Sequence, residues 1–248
     1  MYREPAPPEP FQPPARLNRR LLLEGLGVVV AVTAAVTAVS SSVPDRYVAI
    51  SVALVFLATT WFVVWRKDDA FVQRSGLALG DLVLSGQIAA GRLGRSAGAA
   101  MGWALLLALI VFVPFYFGWK LYWHPKGSFS LHMKQWELLN EVVGQLVIIA
   151  LPEEAFYRGY LQSRLDDALP WRIRFIGASI GPALVVTSLA FALGHFATIR
   201  DPARLAVFFP SLLFGWLRAR TGGIGAGVLF HAMCNLFSEL LGKGYRLY

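Results

Sequence analysis

Charge is scarce in this sequence. Asp, Glu, Lys and Arg make up 15% of its 248 residues, while 56% are hydrophobic. A soluble globular domain carries roughly 25% charged residues. With a mean hydropathy of +0.54, that shortage excludes an ordinary soluble domain and puts most of the chain in lipid. Cysteine is nearly missing too. Cys234 stands alone, which excludes an intrachain disulfide and a cysteine-built metal cluster. Acidic residues are outnumbered, 15 against 23 Lys and Arg, for a net charge of +8. On a soluble protein that excess would point to nucleic acid. Here the basic residues stand in loops beside apolar runs, where they set orientation and meet anionic headgroups. No nucleic-acid partner is expected; membrane lipids are. No internal repeat, cleavable signal peptide or soluble second domain is read from the sequence.

What is present is a series of long apolar runs, at about 21–43, 47–65, 98–118, 137–161, 175–198, 203–217 and 222–242. Each is close to the ~20 residues that span a bilayer as a helix. The expected fold is therefore all-α, a polytopic transmembrane helical bundle of about seven spans. Residues 71–97 mix Leu77, Leu79, Leu82, Leu84 and Ile88 with Asp81, Gln87, Arg92 and Arg95. That mixture suits an interfacial helix or a linker, with an eighth span as the alternative. Trp119, Tyr122, Trp123 and Trp136 form an expected aromatic belt at headgroup level. The domain reading is a Pro-rich disordered tail at 1–20, accessory helices and the aromatic loop at 21–136, and a functional core at 137–242. Lys and Arg favour the segments that share a side with the N-terminus, so the N-terminus is expected in the cytoplasm and the C-terminus outside.

Ionisable and amide side chains inside apolar runs are costly, and each is a candidate functional group. Three places stand out. The fourth run holds Pro152-Glu153-Glu154-Ala155-Phe156-Tyr157-Arg158. Glu154 and Arg158 are four apart and can pair along one helix face. Glu153 then points elsewhere and is free to accept a proton. The bland alternative is a helix leaving the membrane with its charges in the headgroups. The fifth run ends in Phe191-Ala192-Leu193-Gly194-His195, where a lone histidine would ordinarily be a packing or interfacial residue. The seventh holds His231-Ala232-Met233-Cys234-Asn235 at mid-run. Its His and Asn share a face one turn apart. Interhelical packing is the competing account there.

Taken together, a carboxylate base, an imidazole and two hydrogen-bond donors are what hydrolysis of an amide by water requires. The base and one imidazole activate water. The other imidazole and a carboxamide stabilise the oxyanion, each such donor being worth about 3–4 kcal/mol. On these run boundaries Glu153 and His195 sit at depths that differ by ~10–15 Å, which tilt or shifted helix starts must close.

The pattern Glu-Glu-x-x-x-Arg at 153–158, Phe-x-x-x-His at 191–195 and His-x-x-x-Asn at 231–235 resembles the CPBP family. That family includes the CAAX prenyl endopeptidases and the bacteriocin-processing and self-immunity proteins. Arg158-Gly159-Tyr160-Leu161-Gln162, and Gly215 through Gly222 before the last motif, fit it too. The resemblance covers about residues 137–242. It implies a glutamate-dependent intramembrane endopeptidase. Glu153 and His195 would activate water, His231 and Asn235 would form the oxyanion hole, and Glu154 and Arg158 would hold the site together, with no cofactor.

Zinc on Glu153, His195 and His231 is the alternative mechanism. Asn235, a poor zinc ligand and a good donor, speaks against it. A proton-coupled transporter and a non-cutting scaffold are the alternatives from other classes; the first usually shows repeated halves, and the intact residue set argues against the second. The expected substrate is a protein with a hydrophobic or lipidated C-terminal segment. The Ala, Gly, Arg and Leu bias and short loops point to a bacterial cell membrane. There, one branch of the family is thought to process C-terminal sorting tails of surface proteins.

Overall fold

The structure, a computed structural model, describes residue 14 and residues 16–84 and 90–247. Most of the proline-rich tail, together with Gln87 and Ile88, lies outside the described residues. The first helix, α1 (Arg19–Ser42), opens on Asn18, whose side chain accepts a hydrogen bond from the Leu21 N–H. Helix α2 (Asp45–Thr60) returns antiparallel to it and runs into a π-helical turn at Trp61–Trp65. After the short α3 (Asp69–Arg74) comes the long α4 (Ala90–Trp123). Three of these segments, Arg19–Ser42, Asp45–Trp65 and Ala90–Trp123, are long and apolar enough to cross a membrane, and Pro182–Thr198 is a shorter apolar helix. The chain is a helical membrane protein.

The interfacial helix expected over 71–97 takes another form. Residues 69–74 make α3, turns follow from 75, and residues 90–97 are the first turns of α4. Arg92, Arg95 and a Gly-rich sequence lowered the apolarity of that stretch without stopping the helix. Trp119 also differs from the belt expected of it. It is buried against Leu241 and Tyr245, while Tyr122, Trp123 and Trp136 are exposed.

From Gln135 to Ala168 the path is helical throughout: α5 (Gln135–Val143), a π segment (Gly144–Ala150), α6 (Leu151–Glu154), a second π segment (Ala155–Gln162) and α7 (Ser163–Ala168). The Leu151 N–H donates to the Leu146 carbonyl, five residues back. Pro152, the next residue, has no N–H to give, so a widened helix is the geometry that tolerates it.

A two-stranded antiparallel hairpin, β1 (Ile173–Phe175) and β2 (Ala178–Ile180), precedes α8 (Pro182–Thr198). This corrects the all-α expectation locally and shortens the run expected from 175. Its two turn residues, Ile176 and Gly177, both have positive φ, as a tight primed turn requires. A 3₁₀ stretch (Pro202–Val207) leads to α9 (Phe208–Thr221), and α10 (Gly225–Gly244) closes the chain.

Packing divides the apolar interior in two. One cluster joins α1 and α2 to residues 150–169, α8 and one face of α10; the other joins α4, α9 and the other face of α10, with Leu184 of α8. Glu24 of α1 pairs with Arg164 of α7, and the Asn18 N–H donates to the Ala168 carbonyl. These contacts seat α1 against the 135–168 helix. Large apolar side chains such as Leu109, Ile110, Val113, Phe117 and Leu121 of α4 face outward. On a soluble protein such a surface would aggregate; in lipid it needs no cover.

Candidate active site

Residues 150–168 run through the middle of the bundle, in contact with α1, α2, α8 and α9. The two adjacent glutamates lie where α6 passes into the second π segment, and neighbouring side chains on a helix diverge by about 100°. Glu154 turns into the protein and Glu153 turns to a cavity.

Glu154 and Arg158 are both 0% exposed, with Oε1 2.9 Å from Nη1. Isolated charges could not sit there, so the pair is held by more than itself. Arg158 Nη2 donates to the Ser211 carbonyl at 3.1 Å and to its hydroxyl at 2.7 Å. The guanidinium lies between two rings, 4.7 Å from the centroid of Phe191 and 5.1 Å from that of Phe214. Cation–π contacts gain strength when water is excluded.

His231, from α10, completes this core. Its Nδ1 donates to Glu154 Oε1 across 3.0 Å, the acceptor being a carboxylate. Its ring stacks on Phe214, centroids 4.7 Å apart and planes at 13°, and meets Phe191 edge-on. Nε2 is left facing Glu153 Oε2 at 3.9 Å. The close approach of α10 depends on Gly227, where a Cβ would stand 3.0 Å from Glu154 Oε2.

Glu153 is placed differently from Glu154. Its Oε2 is buried and has no hydrogen-bond partner among the described residues. The side chain lines a cavity of about 450 Å³ between α1, α2, α8 and the 148–157 stretch. His195 lines the same cavity, its Nδ1 3.0 Å from the Phe191 carbonyl one turn earlier. That carbonyl can only accept, so Nδ1 carries the hydrogen and the Nε2 lone pair is available. The true helix bounds reduce the depth mismatch between Glu153 and His195, and the two side chains line one cavity. The fourth helical stretch continues to 168 rather than 161, and α8 starts at 182 rather than 175. Both changes move the two side chains toward a common level.

Of the six residues singled out by sequence, Glu153, Glu154, Arg158 and His231 are brought into one connected group, and His195 joins it across the cavity. Asn235 is half-buried on α10, four residues beyond His231. Neither it nor His231 lines the cavity that Glu153 and His195 share. Among the described residues, no three His, Cys, Asp or Glu side chains are grouped as a metal would require. Ser211, Phe214 and Tyr157 had no role assigned from sequence. Ser211 and Phe214 lie in an apolar run without a distinguishing pattern. Tyr157 had a legible signal, its spacing of four from Glu153.

A carboxylate oxygen without a hydrogen-bond partner, an imidazole across a cavity and a buried Glu–Arg–His assembly all lie inside a helical membrane protein. Residues 135–237 match the family model described as type II CAAX prenyl endopeptidase, Rce1-like. That match agrees with the resemblance to the CPBP family of CAAX proteases. No curated protein and no solved structure matches this chain.

Proposed function

We propose that this chain is an intramembrane endopeptidase that cuts a peptide bond near the membrane in a protein with an apolar or lipidated C-terminal segment, using water activated by Glu153 and His195. The observation that carries the reading is the contrast between two neighbouring carboxylates. Glu154 is consumed by Arg158 and His231, while Glu153 keeps a buried, unpartnered oxygen on a cavity wall that His195 shares.

In this reading water sits between Glu153 and His195. Glu153 removes its proton as the oxygen attacks the carbonyl carbon, and the carbonyl π electrons move onto oxygen. The oxyanion is stabilised by hydrogen-bond donors, for which Asn235 and His231, the latter through Nε2 of a protonated ring, are the proposed pair. Collapse of the intermediate breaks the C–N bond, and the proton held by Glu153 passes to the departing amine. Glu154 and Arg158 position His231.

The substrate class is supported by the matched family, whose description is CAAX prenyl endopeptidase. A C-terminal sorting tail is the other apolar substrate to test. The seven-span bundle with a cytoplasmic N-terminus, in a bacterial cell membrane, belongs to the same proposal.

The test uses the full chain in proteoliposomes and a quenched-fluorescence peptide ending in a farnesylated CAAX sequence. Wild type should cut it. Glu153→Gln should lose all measurable turnover while keeping the wild-type melting temperature. Normal turnover by Glu153→Gln sinks the glutamate mechanism. Loss of wild-type activity with a chelator, restored by zinc, would replace it with a metal mechanism on Glu153, His195 and His231.

A further inference from the structure

Tyr157 lies one helical turn after Glu153 and lines the same cavity, as do His195 and Gly194 of α8. Only 3% of it is exposed. Its ring is fixed between Phe56 of α2, 5.7 Å away, and Phe191 of α8, 5.0 Å away and edge-on. Those contacts leave the ring little freedom, so the hydroxyl has a defined position. It stands against α8 at the residue before His195, where a Cβ on Gly194 would be 2.8 Å from the oxygen. Thr33 of α1, also on the cavity wall, shares a hydrogen bond with it.

A phenol in this place has a use. It both donates and accepts. When the Thr33 hydroxyl is the donor of that contact, the Tyr157 O–H remains to be given to the cavity. The oxyanion formed there needs donors on the cavity side, and beside the two acid–base residues the walls otherwise offer apolar side chains, the Asp45 carboxylate, which as an anion can only accept, and the hydroxyls of Thr33, Ser40 and Thr198. His231 and Asn235 are absent from these walls.

We propose that the Tyr157 hydroxyl is a catalytic donor in this site, hydrogen-bonding the oxyanion of the tetrahedral intermediate from the cavity side. This rests on the endopeptidase reading above. The ring alone would suffice for packing; the hydroxyl is the part that reaches the reacting atoms. Gly194 is then required because any side chain there displaces the donor.

The experiment uses the full chain in proteoliposomes and the same farnesylated CAAX-type fluorogenic peptide. Tyr157→Phe keeps the ring and removes only the hydroxyl. It should retain the wild-type melting temperature and KM within about threefold while kcat falls by about 10²-fold, the signature of an interaction made in the transition state. Unchanged kcat in a folded Tyr157→Phe overturns the inference and leaves the Glu153 reading standing. Failure of the wild type to cut the peptide overturns both. A second variant guards against a purely structural effect. Gly194→Ala should lower kcat by pushing the hydroxyl aside, and the double variant should be no slower than Tyr157→Phe alone. Additive losses in the double variant, or a Tyr157→Phe protein that loses activity only by melting, would show that the residue acts through packing.

Discussion

Oε1 of Glu154 is shared by two cationic or donor groups from different parts of the chain: Nη1 of Arg158 at 2.9 Å and Nδ1 of His231 at 3.0 Å. The first is four residues along the same helical path, the second is on α10. One oxygen thereby ties the 150–162 stretch to the last helix. It also fixes which His231 nitrogen faces Glu153, since Nδ1 is committed to Glu154. Positioning of this kind by an outer partner is how a site holds an imidazole in one tautomer and one orientation.

Arg158→Ala should show that this core is structural first. It would leave Glu154 buried with its charge uncompensated, at a cost of about 3–5 kcal/mol. The expected result is a clear fall in melting temperature in detergent together with loss of turnover. Wild-type melting by Arg158→Ala would contradict the buried-pair account. Ser211→Ala, which removes one charge-assisted hydrogen bond and leaves the ion pair, should cost less, about 1–3 kcal/mol.

Asn235→Ala separates a donor from a packing residue. As an oxyanion donor, Asn235 would give a kcat loss of about 10²–10³-fold with little change in KM. As an interhelical hydrogen-bonding group, it would change stability by about 0.6 kcal/mol and leave kcat near wild type. Its distance from the cavity walls makes the comparison with Tyr157→Phe informative: the larger kcat defect identifies the side from which the oxyanion is held.

Gly227→Val tests the approach of α10 to the glutamates. Even a single added carbon would be 3.0 Å from Glu154 Oε2. Two further methyl groups must push α10 outward or displace the carboxylate. Overpacking of this size costs about 1–3 kcal/mol. The prediction is reduced stability and a larger reduction in turnover, because His231 rides on the same helix. A variant with wild-type kcat would mean that the His231–Glu154 contact is dispensable.

The sequence by itself determined the solvent of this protein and singled out the candidate groups of its site. Scarce charge and long apolar runs require lipid, because that much apolar surface has no other place to go. Helical spacing paired Glu154 with Arg158 and put His231 and Asn235 on one face, since local periodicity is a property of the chain alone. Charged residues in apolar runs stood out for the same reason: their cost is local.

Boundaries were less legible. The stretch at 90–97 and the hairpin at 173–180 defeated a reading by apolarity. Helix continuation and a primed turn depend on backbone hydrogen bonds and on Gly177, and hydropathy records neither. The π segments around Pro152 were likewise hidden, since the missing N–H predicts a break as readily as a widening.

What only the tertiary structure decided is which of the two adjacent glutamates is spent and which is free. That follows from contacts far apart in sequence: Ser211, Phe214, Gly227 and His231 close around Glu154 and Arg158, while α1, α2 and α8 leave a cavity beside Glu153. No spacing rule encodes it, because it depends on which helices pack together and how near a glycine lets them come.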